Sequence, residues 1–261
     1  MKRTRLSRSV FAAVFVVGGS VQGEDEKPPK PLGQMKKVEV NKEAYEWYVV
    51  PGAGSAAKKP AIVMIHEWWG LNDWIKQNAD RFANLGYTVV AVDLYRGKVA
   101  TDRDLAHELS RGLPEDQALA DMRAAVKWLS DQPDVDSTRI GCIGWCMGGG
   151  YSLKLALDSP RVSACVICYG SPVTDAEAFK SMNAALLGIF GADDRGISTE
   201  IVKKMEEAMK QAKIKGEIHL FPAVGHAFMN PNNERGYNAD AANEAWQKID
   251  EFFSQTLRPM P

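Results

Sequence analysis

Short, wholly or largely apolar runs that alternate with helical stretches are the feature that most constrains this fold. The runs lie at residues 61–65, 87–94, 139–145, 162–169 and 184–190. A strand buried on both faces has this continuous apolar character, without the alternation of a half-exposed strand. Between the runs, apolar residues recur at helical spacing, as at Ala118, Met122, Ala125 and Leu129. The pattern predicts an α/β domain with a mostly parallel central sheet and helices on both faces.

The beginning of the chain has a different character. A basic group opens it, formed by Lys2, Arg3, Arg5 and Arg8. An apolar run at residues 10–18 and small residues up to Gly23 follow, which is the layout of a secretory signal peptide. The apolar run is far shorter than the roughly 20 residues of a membrane-spanning helix. We therefore expect residues 1–23 to be a cleaved signal peptide that exports the protein to the periplasm or the extracellular space, with an uncleaved anchor as the alternative.

The charged, proline-rich residues 24–36 predict a flexible tether, and residues 37–261 the folded domain. The formal net charge of −1 and the absence of a basic block in this domain give no reason to expect nucleic-acid binding. No phosphate-binding loop and no convincing metal-ligand spacing occur, so we expect no cofactor and no metal. After signal cleavage we expect a monomer with no stable membrane insertion.

The sharpest motif is Gly144-Trp-Cys146-Met-Gly148, which follows an apolar strand and opens a glycine-rich helix. This is a G-x-C-x-G form of the nucleophile elbow, in which glycines let strand and helix approach closely around a strained turn. A cysteine at a helix N-terminus is favoured as the thiolate by the backbone N–H groups and the helix dipole. The N–H of Met147 would face a developing oxyanion. The alternative is a packing turn with an incidental cysteine.

A base and an acid follow in the order expected for a triad. His226 lies in a loop after the strand at residues 217–221, a suitable place for a general base. The preceding strand leads to Asp193 and Asp194, either of which would orient the imidazole, while the other would cap the following helix. Of the remaining histidines, His107 is predicted to be solvated and His219 to be structural.

The chain resembles the dienelactone hydrolase family of α/β-hydrolases across residues 37–257. Four segments carry the resemblance: His66-Glu-Trp-Trp-Gly-Leu-Asn72, Val92-Asp-Leu-Tyr-Arg96, Gly144-Trp-Cys-Met-Gly-Gly149 and Gly225-His-Ala-Phe228. The resemblance implies hydrolysis of a small-molecule ester or lactone through an acyl-thioester, with Cys146 as nucleophile and His226 as base. It also favours Asp194 over Asp193, because Ile197-Ser198 matches the pair that follows the family's aspartate.

Further roles rest on the resemblance alone. It implies that the Trp68 N–H is the second oxyanion donor, that Glu67 contacts and restrains the thiol, and that Arg96 grips a substrate carboxylate. A second arginine is found in the family four residues after the histidine, where this chain has Asn230. Because one carboxylate clamp replaces two, and Trp68, Trp69 and Trp145 lie near the motifs, we expect a bulkier and more apolar pocket.

Two other function classes are compatible with the sequence. A non-catalytic member of the fold would bind ligands in the same pocket without turnover. Thiol redox chemistry would use Cys165 and Cys168, which form a CxxC pattern inside an apolar run, or Cys142 and Cys146. Most cysteines in such runs are small buried hydrophobic residues.

Overall fold

A computed structural model describes residues 31–257, which form an alternation of strands and helices. The strands are β1 (Gln34–Val40), β2 (Glu43–Val50), β3 (Lys59–Ile65), β4 (Thr88–Val92), β5 (Val135–Trp145), β6 (Val162–Cys168), β7 (Ala185–Gly191) and β8 (Gly216–Phe221). The helices are α1 (Asp73–Asn84), α2 (Arg103–Arg111), α3 (Glu115–Ser130), α4 (Met147–Asp158), α5 (Ala176–Phe179), α6 (Thr199–Gln211) and α7 (Ala239–Leu257).

The strands form one sheet in the order β1-β2-β4-β3-β5-β6-β7-β8. The first two strands pair antiparallel, and β2 also runs antiparallel to β4. Every pairing from β4 through β3 to β8 is parallel. The predicted α/β-hydrolase architecture, with a mostly parallel sheet, is therefore confirmed.

Two apolar cores lie on opposite faces of the sheet. Buried residues of α3, α4 and α6 pack on one face, and those of α1 and α7 pack on the other. The central strands supply side chains to both cores, since Ile62 faces one and Val63 faces the other. Full burial of such a side chain contributes about 1.5–3 kcal/mol, which explains why these strands contain continuous apolar runs.

The domain begins earlier than the sequence indicated. Strand β1 starts at Gln34, so residues 34–36 belong to the sheet and not to the predicted tether. Backbone N–H groups of Leu32 and Gly33 also donate to the Asp80 carboxylate of α1, at 3.0 and 3.2 Å. The predicted signal peptide and the first residues of the tether lie outside the described part of the chain. Among the helices described, none has both the length and the apolar character needed to cross a membrane.

The parallel strands place the functional motifs at one edge of the sheet. His66 and Glu67 follow β3, Cys146 follows β5, and the segments with Asp194 and His226 follow β7 and β8. In open α/β sheets ligands bind beyond the carboxyl ends of the strands. The topology thus brings together residues that are up to 160 positions apart in the chain.

Candidate active site

Cys146 stands at a strained turn between β5 and α4. Its φ of 54° and ψ of −118° lie outside the regions that L-residues favour. A Cβ on Gly144 would lie 2.1 Å from the carbonyl oxygen of Gly148. A Cβ on Gly148 would lie 2.4 Å from the carbonyl oxygens of both Ile65 and His66. The two glycines of the elbow are therefore required because strand β5, helix α4 and the end of β3 meet there without room for a methyl group.

This crowding predicts a stability difference within one helix. Gly148→Ala is expected to lower the free energy of unfolding by about 3 kcal/mol, because its methyl group must displace two backbone carbonyls. Gly150→Ala, two residues further along α4, meets nothing closer than 3.4 Å and gains helix propensity. Urea denaturation of both variants measures the difference. A Gly148→Ala variant as stable as Gly150→Ala would contradict the tight elbow.

His226 and Asp194 are paired beside Cys146. The His226 Nδ1 lies 2.7 Å from Asp194 Oδ2, and the other carboxylate oxygen accepts the N–H groups of Gly196 and Ile197 at 2.8 and 3.2 Å. The Asp194 side chain is 1% exposed, whereas Asp193 is an exposed residue. Asp194 is therefore the aspartate that the structure brings to the imidazole, and Ser198 instead caps α6 by accepting the Ile201 N–H.

The charges of this cluster support one another. Burial lowers the pKa of His226, but hydrogen bonds with Asp194 and Cys146 and their charges outweigh burial and raise it to about 10. Burial raises the pKa of Asp194, but the hydrogen bond and charge of His226 and two backbone N–H groups bring it below its usual value. The imidazole is thus favoured in its charged form, and a neighbouring imidazolium stabilises a cysteine thiolate.

Two backbone N–H groups beside Cys146 are available for an oxyanion. Met147 is the first residue of α4, where N–H groups have no intrahelical partner. Trp68 follows Glu67 in the segment after β3. Neither N–H donates a hydrogen bond to another residue between 31 and 257. The segment itself is fixed by buried His66, whose ring nitrogens contact the carbonyl of Glu67 at 2.6 Å and the N–H of Leu94 at 3.2 Å.

Glu67 is buried and hydrogen-bonded to Asn230, which stands where the resemblance implied a second arginine. The Asn230 Nδ2 donates to Glu67 Oε2 at 2.6 Å, and the other oxygen, Oε1, is buried with no partner among the described residues. Burial raises the pKa of Glu67 to about 7, against the lowering effects of Asn230 and of the His226 charge. Among the described residues, the Glu67 carboxylate therefore accepts its hydrogen bond from Asn230 and not from the Cys146 thiol.

Arg96 is engaged in an ion pair with Asp121. Its Nη2 donates to Asp121 Oδ1 of α3 at 2.7 Å, and its guanidinium lies 5.3 Å from the centre of the Tyr45 ring. Burial raises the pKa of Asp121 to about 6, while Arg96 lowers it. The structure thus pairs Arg96 with a buried carboxylate of α3, and its contact with a substrate stays a prediction.

A cavity of about 630 Å³ opens beside His226. Its lining includes Trp68, Trp69 and residues 99–101 from the first half of the chain, and residues 226–227, 230 and 232–235 from the loop after β8. Two arginines, Arg103 and Arg235, also line it, while Arg96 does not. Trp145, predicted to contribute to the pocket, is instead fully buried between Trp74 and Trp246, because the last residue of β5 points into the second core.

The remaining cysteines are fully buried. Cys165 packs in one core and Cys168 in the other, since β6 directs them to opposite faces of the sheet. The CxxC pattern therefore does not form a redox pair. Cys142 donates to the Ser152 carbonyl at 3.3 Å and faces Cys165 on β6, away from Cys146. Within the described residues, Cys146 is the one cysteine with an exposed part.

Tyr169 is a site residue that sequence reasoning missed. Its ring lies 5.3 Å from that of His226 in a T-shaped arrangement, and its hydroxyl is buried without a partner in the described region. Its φ of 38° is unusual for an aromatic residue. The only signal in the sequence is its position just after β6, at the edge of the sheet where the motifs gather.

Comparisons with known proteins agree with this architecture. The profile of the dienelactone hydrolase family matches residues 48–257. A Salmonella typhimurium protein named "Putative carboxymethylenebutenolidase" is 31% identical over 223 residues, which cover 80% of this chain and 82% of that protein. A protein of the same name from Escherichia coli is 31% identical over 210 residues, covering 75% of this chain and 77% of the relative.

Solved structures show the same fold. The crystal structure titled as a "Putative Dienelactone Hydrolase" from Klebsiella pneumoniae has a TM-score of 0.78 at 25% identity and covers 85% of this chain and 98% of its own. A dienelactone hydrolase from Anabaena variabilis has a TM-score of 0.66 at 22% identity, with coverages of 88% and 100%. The chain belongs to the dienelactone hydrolase family and is a hydrolase of carboxylic ester or lactone bonds.

Proposed function

We propose that this hydrolase uses Cys146 as a covalent nucleophile, with His226 as general base and Asp194 as the residue that orients it. The observation that carries the proposal is the strained cysteine at the helix N-terminus beside a histidine bonded to a buried aspartate at 2.7 Å. A nucleophile, a base and an orienting acid in this relation are the requirements of acyl transfer.

The reaction proceeds in two halves. The Cys146 thiolate attacks the carbonyl carbon, and the N–H groups of Trp68 and Met147 stabilise the oxyanion. The C–O bond breaks, the protonated His226 gives its proton to the leaving alkoxide, and an acyl-thioester remains. His226 then takes a proton from water, the hydroxide attacks the thioester, and the acid leaves as the thiolate re-forms.

Trapping the acyl-enzyme tests this proposal directly. After rapid mixing with p-nitrophenyl acetate and acid quenching, we expect the intact mass to rise by one acetyl group, which peptide mapping assigns to Cys146. Release of p-nitrophenol without an acetylated intermediate, or acetylation at another residue, would speak against the thiol mechanism. Comparing the rate with that for a dienelactone would show which class of substrate the cavity favours.

The cavity supplies its own cations for an anionic substrate. Arg103 and Arg235 line it, and neither forms an ion pair with another residue of the described chain. A guanidinium binds a carboxylate through paired hydrogen bonds. Because Arg96 is held by Asp121, we propose that these two arginines attract the carboxylate of a substrate such as a dienelactone, whereas the indole rings of Trp68 and Trp69 contact its apolar part.

Replacing these arginines tests whether the substrate carboxylate binds Arg103 and Arg235 or binds Arg96. Arg103→Ala and Arg235→Ala are each expected to raise KM for a dienelactone about tenfold, the equivalent of one charge-assisted hydrogen bond, and to leave KM for neutral p-nitrophenyl acetate unchanged. Steady-state kinetics on both substrates measures this. Arg96→Lys keeps a positive charge beside Asp121 but loses the guanidinium, whose paired N–H groups bind a carboxylate. If that variant alone raised KM for the dienelactone, the carboxylate would bind Arg96.

We also propose that the protein acts after export, which the basic and apolar segments before Gly23 support, and that it is a monomer. Expression in a bacterial host followed by fractionation tests export. Signal cleavage would yield a mature protein that begins near residue 24 in the periplasm or medium, whereas an intact N-terminus in the membrane fraction would indicate an anchor. Light scattering of the purified protein gives its oligomeric state.

A further inference from the structure

The segment that carries His226 has a conformation that its own residues do not favour. It connects β8 to α7 and contains two left-handed alanines, Ala223 and Ala227, with φ of 57° and 56°. A non-glycine residue in this region costs about 1 kcal/mol or more and persists only where surrounding contacts impose it. His226 lies next to one of these residues, so contacts from elsewhere in the loop must fix its position.

Asn233 supplies such contacts. Its side-chain Nδ2 donates to the carbonyl oxygens of His226 and Ala227, at 3.1 and 3.2 Å. Its backbone carbonyl in turn accepts the N–H groups of Gly236 and Tyr237 at 2.9 and 2.8 Å. One side chain thereby ties the two peptide units that follow the base to a turn further along the loop.

Asn230 connects the same loop to the segment after β3. The residue is buried, its Nδ2 donates to Glu67 Oε2 at 2.6 Å, and its Oδ1 accepts the Asn232 N–H at 2.9 Å. Its own N–H donates to the Ala227 carbonyl at 3.1 Å. The amide is thus held at both ends, which leaves its donor no other direction than toward Glu67.

We propose that Asn230 and Asn233 are positioning residues that hold Glu67 and His226 in a fixed relation to the Cys146 thiol, so that one loop sets the protonation state of the nucleophile. The inference rests on the proposed role of Cys146. His226 favours the thiolate through its charge, and Glu67 opposes it when ionised. Both groups are bound by the same loop, between residues 226 and 238.

The titratable groups that face Glu67 and His226 follow or belong to several strands. Around Glu67 lie His226, Tyr169 and Cys168, while Asp194 and Cys146 face His226. Because burial brings the pKa of Glu67 to about 7, a small change in its surroundings alters its charge at neutral pH. A carboxylate placed at residue 230 would share a proton with Glu67, and the pair would carry a negative charge over a wide pH range.

Alkylation of Cys146 by iodoacetamide tests the proposal without any ester substrate. The rate follows the thiolate fraction, and the other three cysteines are fully buried. We expect Asn233→Ala to shift the rate-against-pH profile upward by about one pH unit or more, because the displaced imidazolium no longer pairs with the thiolate. Asn230→Asp is expected to shift it in the same direction through added negative charge. On p-nitrophenyl acetate, Asn233→Ala should lower kcat about tenfold or more with KM little changed.

Asn183→Ala is the matched control, since it removes an asparagine amide bonded to the Pro160 carbonyl far from the site and should leave the profile unchanged. Thermal melting separates misfolding from misplacement. If Asn233→Ala does not fold, Asn233→Ser, which retains one donor, serves in its place. Wild-type alkylation profiles in both loop variants would overturn the inference. Failure of the proposed hydrolysis would give a different result. The loop variants would still show shifted alkylation profiles, but the wild type would cleave no ester.

Discussion

Cys146→Ala is expected to lower kcat/KM for p-nitrophenyl acetate and for a dienelactone by about 10⁴-fold or more. The variant lacks the atom that forms the acyl-thioester, so the oxyanion donors and His226 can assist only direct attack by water. Covalent nucleophiles contribute this much because the residues of a triad act as a unit. Steady-state hydrolysis, with the acetylated intermediate sought by mass spectrometry, measures the effect.

Cys165→Ala is the control for the loss of a thiol. Cys165 is fully buried in the sheet, so its replacement is expected to lower stability by about 1 kcal/mol and to leave kcat unchanged. Equal activity of Cys146→Ala and the wild type would exclude Cys146 as the nucleophile. A wild type inactive on a broad panel of esters, but still able to bind them, would favour the non-catalytic alternative.

Asp194→Asn is expected to lower kcat about 10³- to 10⁴-fold and to move the activity profile to higher pH. The direction follows from the ion pair. Asp194 stabilises the imidazolium, so its loss lowers the pKa of His226, and the thiolate that the imidazolium supports then forms only at higher pH. The amide would also permit the wrong imidazole tautomer at 2.7 Å.

Asp193→Asn provides a close control because it makes the same chemical change one residue away. Asp193 is exposed, and its side chain forms no hydrogen bond with another residue between 31 and 257. Its activity should stay within about twofold of the wild type. If Asp193→Asn lost activity and Asp194→Asn kept it, the acid would be assigned to the wrong aspartate.

The sequence predicted a large part of the fold because local signals were strong. The helix predicted after Cys146 is present as α4, because the apolar strand and the glycine-rich turn before it are local features of the sequence. The start of edge strand β1 was predicted wrongly, because residues 34–36 were assigned to the tether. It is mostly exposed, so periodicity carries little signal, and its pairing with β2 and the contacts of residues 32–33 with Asp80 depend on tertiary neighbours.

The sequence by itself determined the sheet class, the elbow around Cys146 and the order of nucleophile, acid and base, because strand hydrophobicity and glycine spacing are local properties. The residues alone left Asp193 and Asp194 open, and the family resemblance favoured Asp194. Only the tertiary structure showed Asp194 at the imidazole, Arg96 on Asp121 and Trp145 in the core. The side chains of adjacent residues point in different directions at a turn or at the end of a strand. Local composition does not encode these directions. The bond between Asn230 and Glu67 joins residues 163 positions apart, so only the packing of the loop after β8 against the end of β3 brings them together.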